Sequence, residues 1–240
     1  MKNLKFSAIA LSALLVFSSC NMNNTTKGGL IGGGGGAVLG GIVGNLIGKN
    51  AGGTLIGAAI GGAIGTGAGV LIGKKMDKAK AAAQAVANAQ VESITDANGL
   101  QAVKVTFDSG ILFASGSSTL NQTAKNSLTQ FANNVLKPNT DMDVAIQGHT
   151  DNTGFKGVTS AEENASRNQV LSLQRAQSVQ SYLTSMGVSP AQIRSVEGLG
   201  QMAPIADNST AAGKQQNRRV EVYLYASEAM INAANNGTLQ

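Results

Sequence analysis

Glycine is spread so unevenly along this chain that only its later part can build an ordinary core. Twenty of the 31 glycines in the 240 residues lie between Gly28 and Gly73, and a residue without a side chain costs backbone entropy while adding nothing to pack. The later half leaves about 130 residues, enough to bury a core of usual size. The early glycines are nevertheless in register. Gly28, Gly32, Gly36, Gly40, Gly44 and Gly48 recur every four residues, and Gly53, Gly57, Gly61, Gly65, Gly69 and Gly73 repeat the spacing after Lys49-Asn50-Ala51-Gly52. Residues four apart share a helix face, so each run predicts a helix with a bare groove flanked by Leu, Ile and Val. Two such grooves let backbones touch, the small-xxx-small packing of helices in lipid.

Neither Leu30 to Gly48 nor Ala51 to Gly73 contains an ionisable residue, while Lys49 marks a bend and Lys74-Lys75 an exit. Each stretch has about the length that crosses a bilayer. The expectation is a helical hairpin over 28–75, packed in or on a membrane, and the segment resembles the glycine zippers of bacterial envelope lipoproteins. A flexible low-complexity linker in water and self-association into a homo-oligomer are the alternatives that this composition leaves open.

The extreme N-terminus has a basic head at Lys2 and Lys5, an apolar run from Phe6 to Phe17 too short to span a bilayer, and the small-residue approach Ser18-Ser19 to Cys20. It resembles a lipoprotein signal with its lipobox, although Phe17 is an unusual residue there. The resemblance implies a signal over 1–19, cleavage before Cys20, acylation of Cys20, and a lipid-anchored linker over 20–27. Asn21 follows where an Asp would imply retention at the inner membrane, so the outer membrane is expected. Cys20 is the sole cysteine, which excludes an internal disulfide framework and any zinc cluster built on cysteine pairs. Neither a metal nor a cofactor is expected.

The formal charge of +5 does not point to nucleic acid. Six lysines against Asp77 lie between Lys27 and Lys80, whereas residues 95–226 carry ten acids and ten bases. Lysines beside anionic headgroups explain this better than a phosphate-binding face, and no aromatic platform accompanies them.

From Met76 the chain is Ala-rich without Gly or Pro, predicting a helical spacer over 76–94. Leu100 to Phe107 alternates and reads as a strand, and Asn121 to Leu136 places Leu128, Phe131, Ala132 and Val135 at helical spacing before Lys137-Pro138. Asp143 to Gln147 is a further strand. Ser160 and Glu163 form a capping-box pattern for a helix running to about Met186 and closed by Gly187. Ile193–Glu197 and Arg219–Tyr225 complete the strands, and the polar residues 227–240 read as a frayed tail. This order predicts an α+β fold of βαβαββ type, a mixed sheet covered by helices, over 95–226.

The chemistry collects at Gly148-His149-Thr150-Asp151, where an apolar strand ends in a Gly-flanked polar turn. Downstream lie Asn168-x-x-Leu171-Ser172-x-x-Arg175-Ala176, the Gly198-Leu199-Gly200 turn, Pro204 with Asn208, and Asn217-Arg218-Arg219-Val220-Glu221. Together these blocks resemble the OmpA-like peptidoglycan-binding domain, over about residues 100–226. The resemblance implies an OmpA-like sandwich in which Asp151 and Arg175 hold the diaminopimelate of the peptidoglycan stem peptide. That ligand end bears one ammonium and one carboxylate, which suits a carboxylate and a guanidinium fork. An internal Asp151–Arg175 structural pair is the plainer alternative.

Asn168 takes the family's Asn position, either on the ligand or holding the turn. Thr150 belongs to the same turn, and Ser115 and Gly116 match a loop whose backbone approaches the ligand. Two departures stand out: Ala114 replaces a common Asp, and Phe155 to Arg167 adds roughly nine residues that could lid the site. His149 with Asp151 invites a catalytic triad, but no G-x-S-x-G elbow occurs, and a packed histidine in a supporting role is favoured. Of Arg218 and Arg219, alternately placed on a strand, one is expected to face the site or a buried carboxylate and the other solvent.

The implied function is an outer-membrane lipoprotein that is not an enzyme and that tethers the outer membrane to the cell wall. A membrane-active or oligomerising glycine-zipper protein is the alternative, and an envelope hydrolase a third class.

Overall fold

The computed structural model describes residues 66–95 and 100–239. The expectations for Cys20, the linker and the hairpin up to Gly65 lie outside the described residues. In chain order the described residues form helix α1 (Thr66–Gln84), strands β1 (Ala89–Thr95) and β2 (Gln101–Asp108), the single turn α2 (Ser109–Leu112), helix α3 (Gln122–Phe131), strand β3 (Met142–Gly148), helix α4 (Ala161–Ser185), strand β4 (Ile193–Gly198), helix α5 (Ala211–Asn217), strand β5 (Arg219–Ala226) and helix α6 (Glu228–Asn235).

The five strands make one mixed sheet in the order β1-β2-β5-β3-β4. Every pairing is antiparallel except β3 with β4, which α4 joins as a crossover. The α+β class and the helix-covered mixed sheet are as the sequence predicts. Alternation puts Val103, Val105 and Phe107 of β2, Val144 and Ile146 of β3, and Val220, Val222 and Leu224 of β5 on one face. There they form a single core with Leu128, Phe131 and Val135 from the α3 region and Val179 and Leu183 of α4. Phe107 meets Phe131 edge to face at 5.7 Å between ring centroids.

Three expectations at the domain edges need correction. The helix expected over 76–94 already includes Thr66–Lys75 and stops at Gln84, and Ala89–Thr95 is the edge strand β1, paired along its whole length with β2. Asn88, with φ of 62°, breaks the helix just before Val91, Ile94 and Thr95 bring β-branched side chains. The boundary at residue 95 therefore cuts through the sheet. Residues 227–240 are not frayed: Ser227 caps α6, accepting from the Met230 N–H at 3.1 Å, and Met230, Ile231 and Ala234 enter the core.

Helix α1 completes the packing. Ala68, Ile72, Met76, Ala79 and Ala83, three and four residues apart, are buried on one face that packs on β1, β2 and α6. Gly69 and Gly73, the last glycines of the second run, are buried on that face. At its polar margin Lys75 ion-pairs with Asp141, and Gln101 Nε2 donates to Asp77 Oδ1 at 2.9 Å.

Helix α4 starts as expected at Ser160, whose Oγ accepts from the Glu163 N–H at 3.2 Å. The reciprocal half of the capping box is absent, because Ser160 Oγ donates to Glu162 and the Glu163 carboxylate takes Arg167 at 2.7 Å. Gly187, at φ of 89°, closes the helix. Between its ends α4 lies against β3 and β4 so closely that a Cβ at Gly148 would stand 2.0 Å from the Ser172 carbonyl oxygen, and one at Gly198 2.3 Å from Leu173 N.

This contact is testable. Gly148→Ala must push α4 off the sheet and should lower stability by about 1–3 kcal/mol or more, seen as a fall in the urea midpoint. Gly67→Ala on α1, where a Cβ meets nothing within 4 Å, should be neutral or stabilising by about 0.5–1 kcal/mol. Equal midpoints for wild type and Gly148→Ala would show that the α4–sheet contact yields without cost.

Candidate functional site

Strand β3 ends at Gly148, and the turn after it is pinned on both sides. His149 N–H donates to the Arg219 carbonyl at the start of β5, Thr150 N–H to the Gly200 carbonyl, and Leu199 N–H to the Gly148 carbonyl, each at 2.9 Å. The Asp151 carboxylate thereby stands at the wall of a cavity of about 660 Å³. Ser115, Gly116, Thr150, Asn168, Arg175 and Arg218 share its lining. Seven residues named from the sequence thus meet in one place. His149 does not line it.

Asp151 is held from two directions: Oδ1 accepts the Thr153 N–H at 2.8 Å, and Oδ2 is ion-paired with Arg218. Burial opposes its charge, but the Thr153 N–H and Arg218 outweigh burial and hold the carboxyl below its ordinary 3.8. No ion pair joins Asp151 to Arg175 among the described residues. The internal partner that the sequence left open is Arg218 instead.

Arg175 projects from α4, where its Nε–H donates to the Ser117 carbonyl at 3.0 Å and its guanidinium lies 5.2 Å from the centre of the Phe113 ring. These contacts orient the fork. Among the described residues its two terminal amino groups have no hydrogen-bond partner. Its pKa is lowered, chiefly by burial and then by the nearby charge of Arg218, with Asp151 opposing. Two guanidinium groups and the exposed Lys156 thus border the cavity against the one carboxylate of Asp151, which favours a ligand carrying at least one anionic group.

Asn168, 3 % exposed, donates to the Thr153 carbonyl at 3.2 Å and to Gln201 Oε1 at 3.3 Å. It holds the turn. Thr150 Oγ1 is buried without a hydrogen-bond partner among the described residues, an unsatisfied group of the kind that a ligand can complete. Gly116, at φ of 67°, turns the 115–116 loop into the cavity wall.

His149 is 1 % exposed, with Nε2 at 3.3 Å from Glu221 Oε2 but without hydrogen-bond alignment. Burial lowers its pKa, with Glu221 opposing and Arg219 adding to the lowering, so the ring is neutral near pH 7. Arg219 faces this buried carboxylate, with Nε–H donating to Glu221 Oε1 at 2.7 Å. The two arginines therefore divide between the cavity and a buried acid, and the expectation that one would face solvent is corrected. The insertion after Asp151 brings Phe155 and Lys156 to the cavity, where Asn164 Oδ1 accepts the Phe155 N–H at 2.7 Å. Sequence reasoning missed Phe113 and the Asp151–Arg218 pairing.

The pairing has a pH signature. Because the folded carboxyl of Asp151 is depressed, its contribution to stability is complete above about pH 4 and is lost as the pH falls through the folded value. Arg218→Ala should shift the Asp151 titration upward in carbon-13 carboxyl NMR and shrink this acid-labile contribution. An unmoved titration would assign the depression to the Thr153 N–H alone.

Comparison with known proteins gives matches to two families. Residues 112–218 match the OmpA family, and residues 1–77 match the YMGG-like Gly-zipper family. The chain is 39% identical over 118 residues to the outer-membrane lipoprotein YfiB of Pseudomonas aeruginosa, covering 49% of this chain and 64% of that protein. It is 45% identical over 87 residues to the peptidoglycan-binding protein ArfA of Mycobacterium tuberculosis, covering 36% of this chain and 24% of that one. The chain thus spans less than two thirds of the length of either relative. A solved MotB-like protein from Desulfovibrio vulgaris, 21% identical, has the same fold with a TM-score of 0.54 over 64% of this chain and 93% of its own. Over residues 112–218 the chain is therefore similar to OmpA-family domains, and over residues 1–77 to YMGG-like glycine zippers.

Proposed function

We propose that this chain binds peptidoglycan non-covalently, through the diaminopimelate of the stem peptide, and that a lipid on Cys20 holds it to the outer membrane so that it tethers membrane to wall. The observation that carries the reading is the cavity that contains both Asp151 and an Arg175 fork with unclaimed donors. The free end of diaminopimelate has an ammonium for the first and a carboxylate for the second. A carboxylate offers about four lone-pair directions, so Asp151 can accept an ammonium while keeping Thr153 and Arg218. Thr150 Oγ1 and the 115–116 backbone supply neutral contacts beside these charges. A relative named for peptidoglycan binding and another named as an outer-membrane lipoprotein support the same reading. Binding, rather than turnover, is the role, and His149 supports the turn from behind it.

Loss of a desolvated charge-assisted contact commonly costs about 2–5 kcal/mol, so Asp151→Ala or Arg175→Ala should weaken binding of the full chain to purified sacculi roughly 30-fold or more. His149→Gln should weaken it far less. Wall peptide with lysine in place of diaminopimelate keeps the ammonium and lacks the carboxylate, so it should bind poorly. Equal binding of the two wall types would remove Arg175 from the proposed role.

The anchor is tested separately by feeding cells labelled palmitate. Wild type should incorporate it and Cys20→Ala should not, and label retained in the variant would refute acylation at this residue.

A further inference from the structure

A second cavity, of about 450 Å³, shares Arg218 with the first. Its walls are Gln90 of β1, Thr106 and Asp108 of β2, Ile205, and Gln215 and Gln216 of α5. The two cavities are neighbours along the chain as well, since Asp108 lines one while Ser109 and Gly110 line the other. The chemistry changes between them. The first is bordered by exposed or unclaimed cationic groups. In the second, Asp108 is already engaged by the Gly110 N–H at 2.6 Å and by Gln215 Nε2 at 3.1 Å, and Arg219 is engaged by Glu221. With Arg218 paired to Asp151, what remains is a set of carboxamides and a hydroxyl, which offer neutral donors and acceptors together.

Ile205 stands beside these amides and is 60% exposed. It is held there. Asn217, fully buried, accepts the Ile205 and Ala206 N–H groups on Oδ1 at 2.8 and 3.0 Å, and donates to the Ala206 carbonyl at 2.8 Å and to Asn208 Oδ1 at 2.9 Å. A large apolar side chain fixed at the surface beside neutral amides presents an amphipathic surface. A pyranose ring bearing an acetamido group is amphipathic in the complementary way, with hydroxyl and amide groups at its edge and C–H groups on its face.

We propose that the second cavity binds an N-acetylated sugar of the wall glycan while the stem peptide attached to the same strand occupies the first, with Arg218 between them. This rests on the peptide-binding reading of the first cavity. Extended peptide covers about 3.5 Å per residue, so a stem of a few residues reaches from one cavity to its neighbour.

The test is calorimetric titration of the full chain with three probes: a disaccharide carrying the diaminopimelate stem peptide, the same peptide without sugar, and the N-acetylated disaccharide alone. Two or so added neutral hydrogen bonds predict that the disaccharide peptide binds about tenfold more tightly than the free peptide. The disaccharide alone should bind weakly. In Gln215→Ala/Gln216→Ala, on the exposed face of α5, the tenfold advantage should disappear while free-peptide affinity stays as in wild type. Equal affinity of wild type for both peptides would overturn the sugar site and leave the peptide site standing. An advantage undiminished in the double variant would overturn its assignment to this cavity. If wild type binds neither peptide, both proposals fall.

Discussion

Everything that places a charged group in this domain depends on how closely α4 lies on the sheet. Where β3 and β4 end, the strand backbones come into direct contact with the helix backbone, and the space that a methyl group needs at Gly148 or Gly198 is already taken by Ser172, Leu173 and Gln169. The contact is polar as well as steric, since Ser172 Oγ accepts the Gly200 N–H at 2.9 Å. Asp151 leaves β3 three residues beyond Gly148, and Arg175 lies about one helical turn beyond Ser172. Fixing one helix against two strand ends therefore fixes the separation of the two groups that a zwitterion would need.

The charges are sorted by the period of a strand. Arg218 and Arg219 are adjacent in sequence and serve opposite sides, one with Asp151 at the cavity and the other with Glu221 behind it. Glu221 also accepts from Tyr223, whose pKa is raised by burial and by the Glu221 charge. Burial alone would neutralise Glu221, but the Arg219 guanidinium and the Tyr223 hydroxyl that donate to it keep it ionised and depress its pKa. Each arginine thus has its own carboxylate, and the strand carries both without leaving a buried charge alone.

Much of this was legible in the sequence, and the exceptions have physical reasons. The Gly148–Asp151 turn, the Asn168–Ala176 block and the Asn217–Glu221 block carried the resemblance that implied Asp151, Arg175 and their neighbours, which line the first cavity. The partner of Asp151 was not legible. Arg218 lies 67 positions away, and only the antiparallel register that sets Gly148 opposite Val220 brings it near. Strand β1 was hidden in an alanine-rich run whose helix propensity is real up to Gln84, and its one local signal is the switch at Asn88 to β-branched residues. Helix α6 looked like a polar tail because Asn232, Asn235 and Asn236 are interspersed with its apolar residues. Met230, Ile231 and Ala234 are nonetheless spaced for one buried face, and burial is decided by position rather than by average composition.

The docking of α1 has a mechanical consequence. Its buried stripe from Ala68 to Ala83 belongs to the same core as the sheet, and Lys75 and Asp77 bind it at the margin. No slack therefore separates Thr66 from the edge of the sheet. A force entering from the N-terminal side meets a helix already seated on β1, β2 and α6, and many buried contacts must slide or part together before the strands feel it. The last two glycines of the periodic run sit inside this joint, so the end of the glycine repeat belongs to the packing of the folded domain.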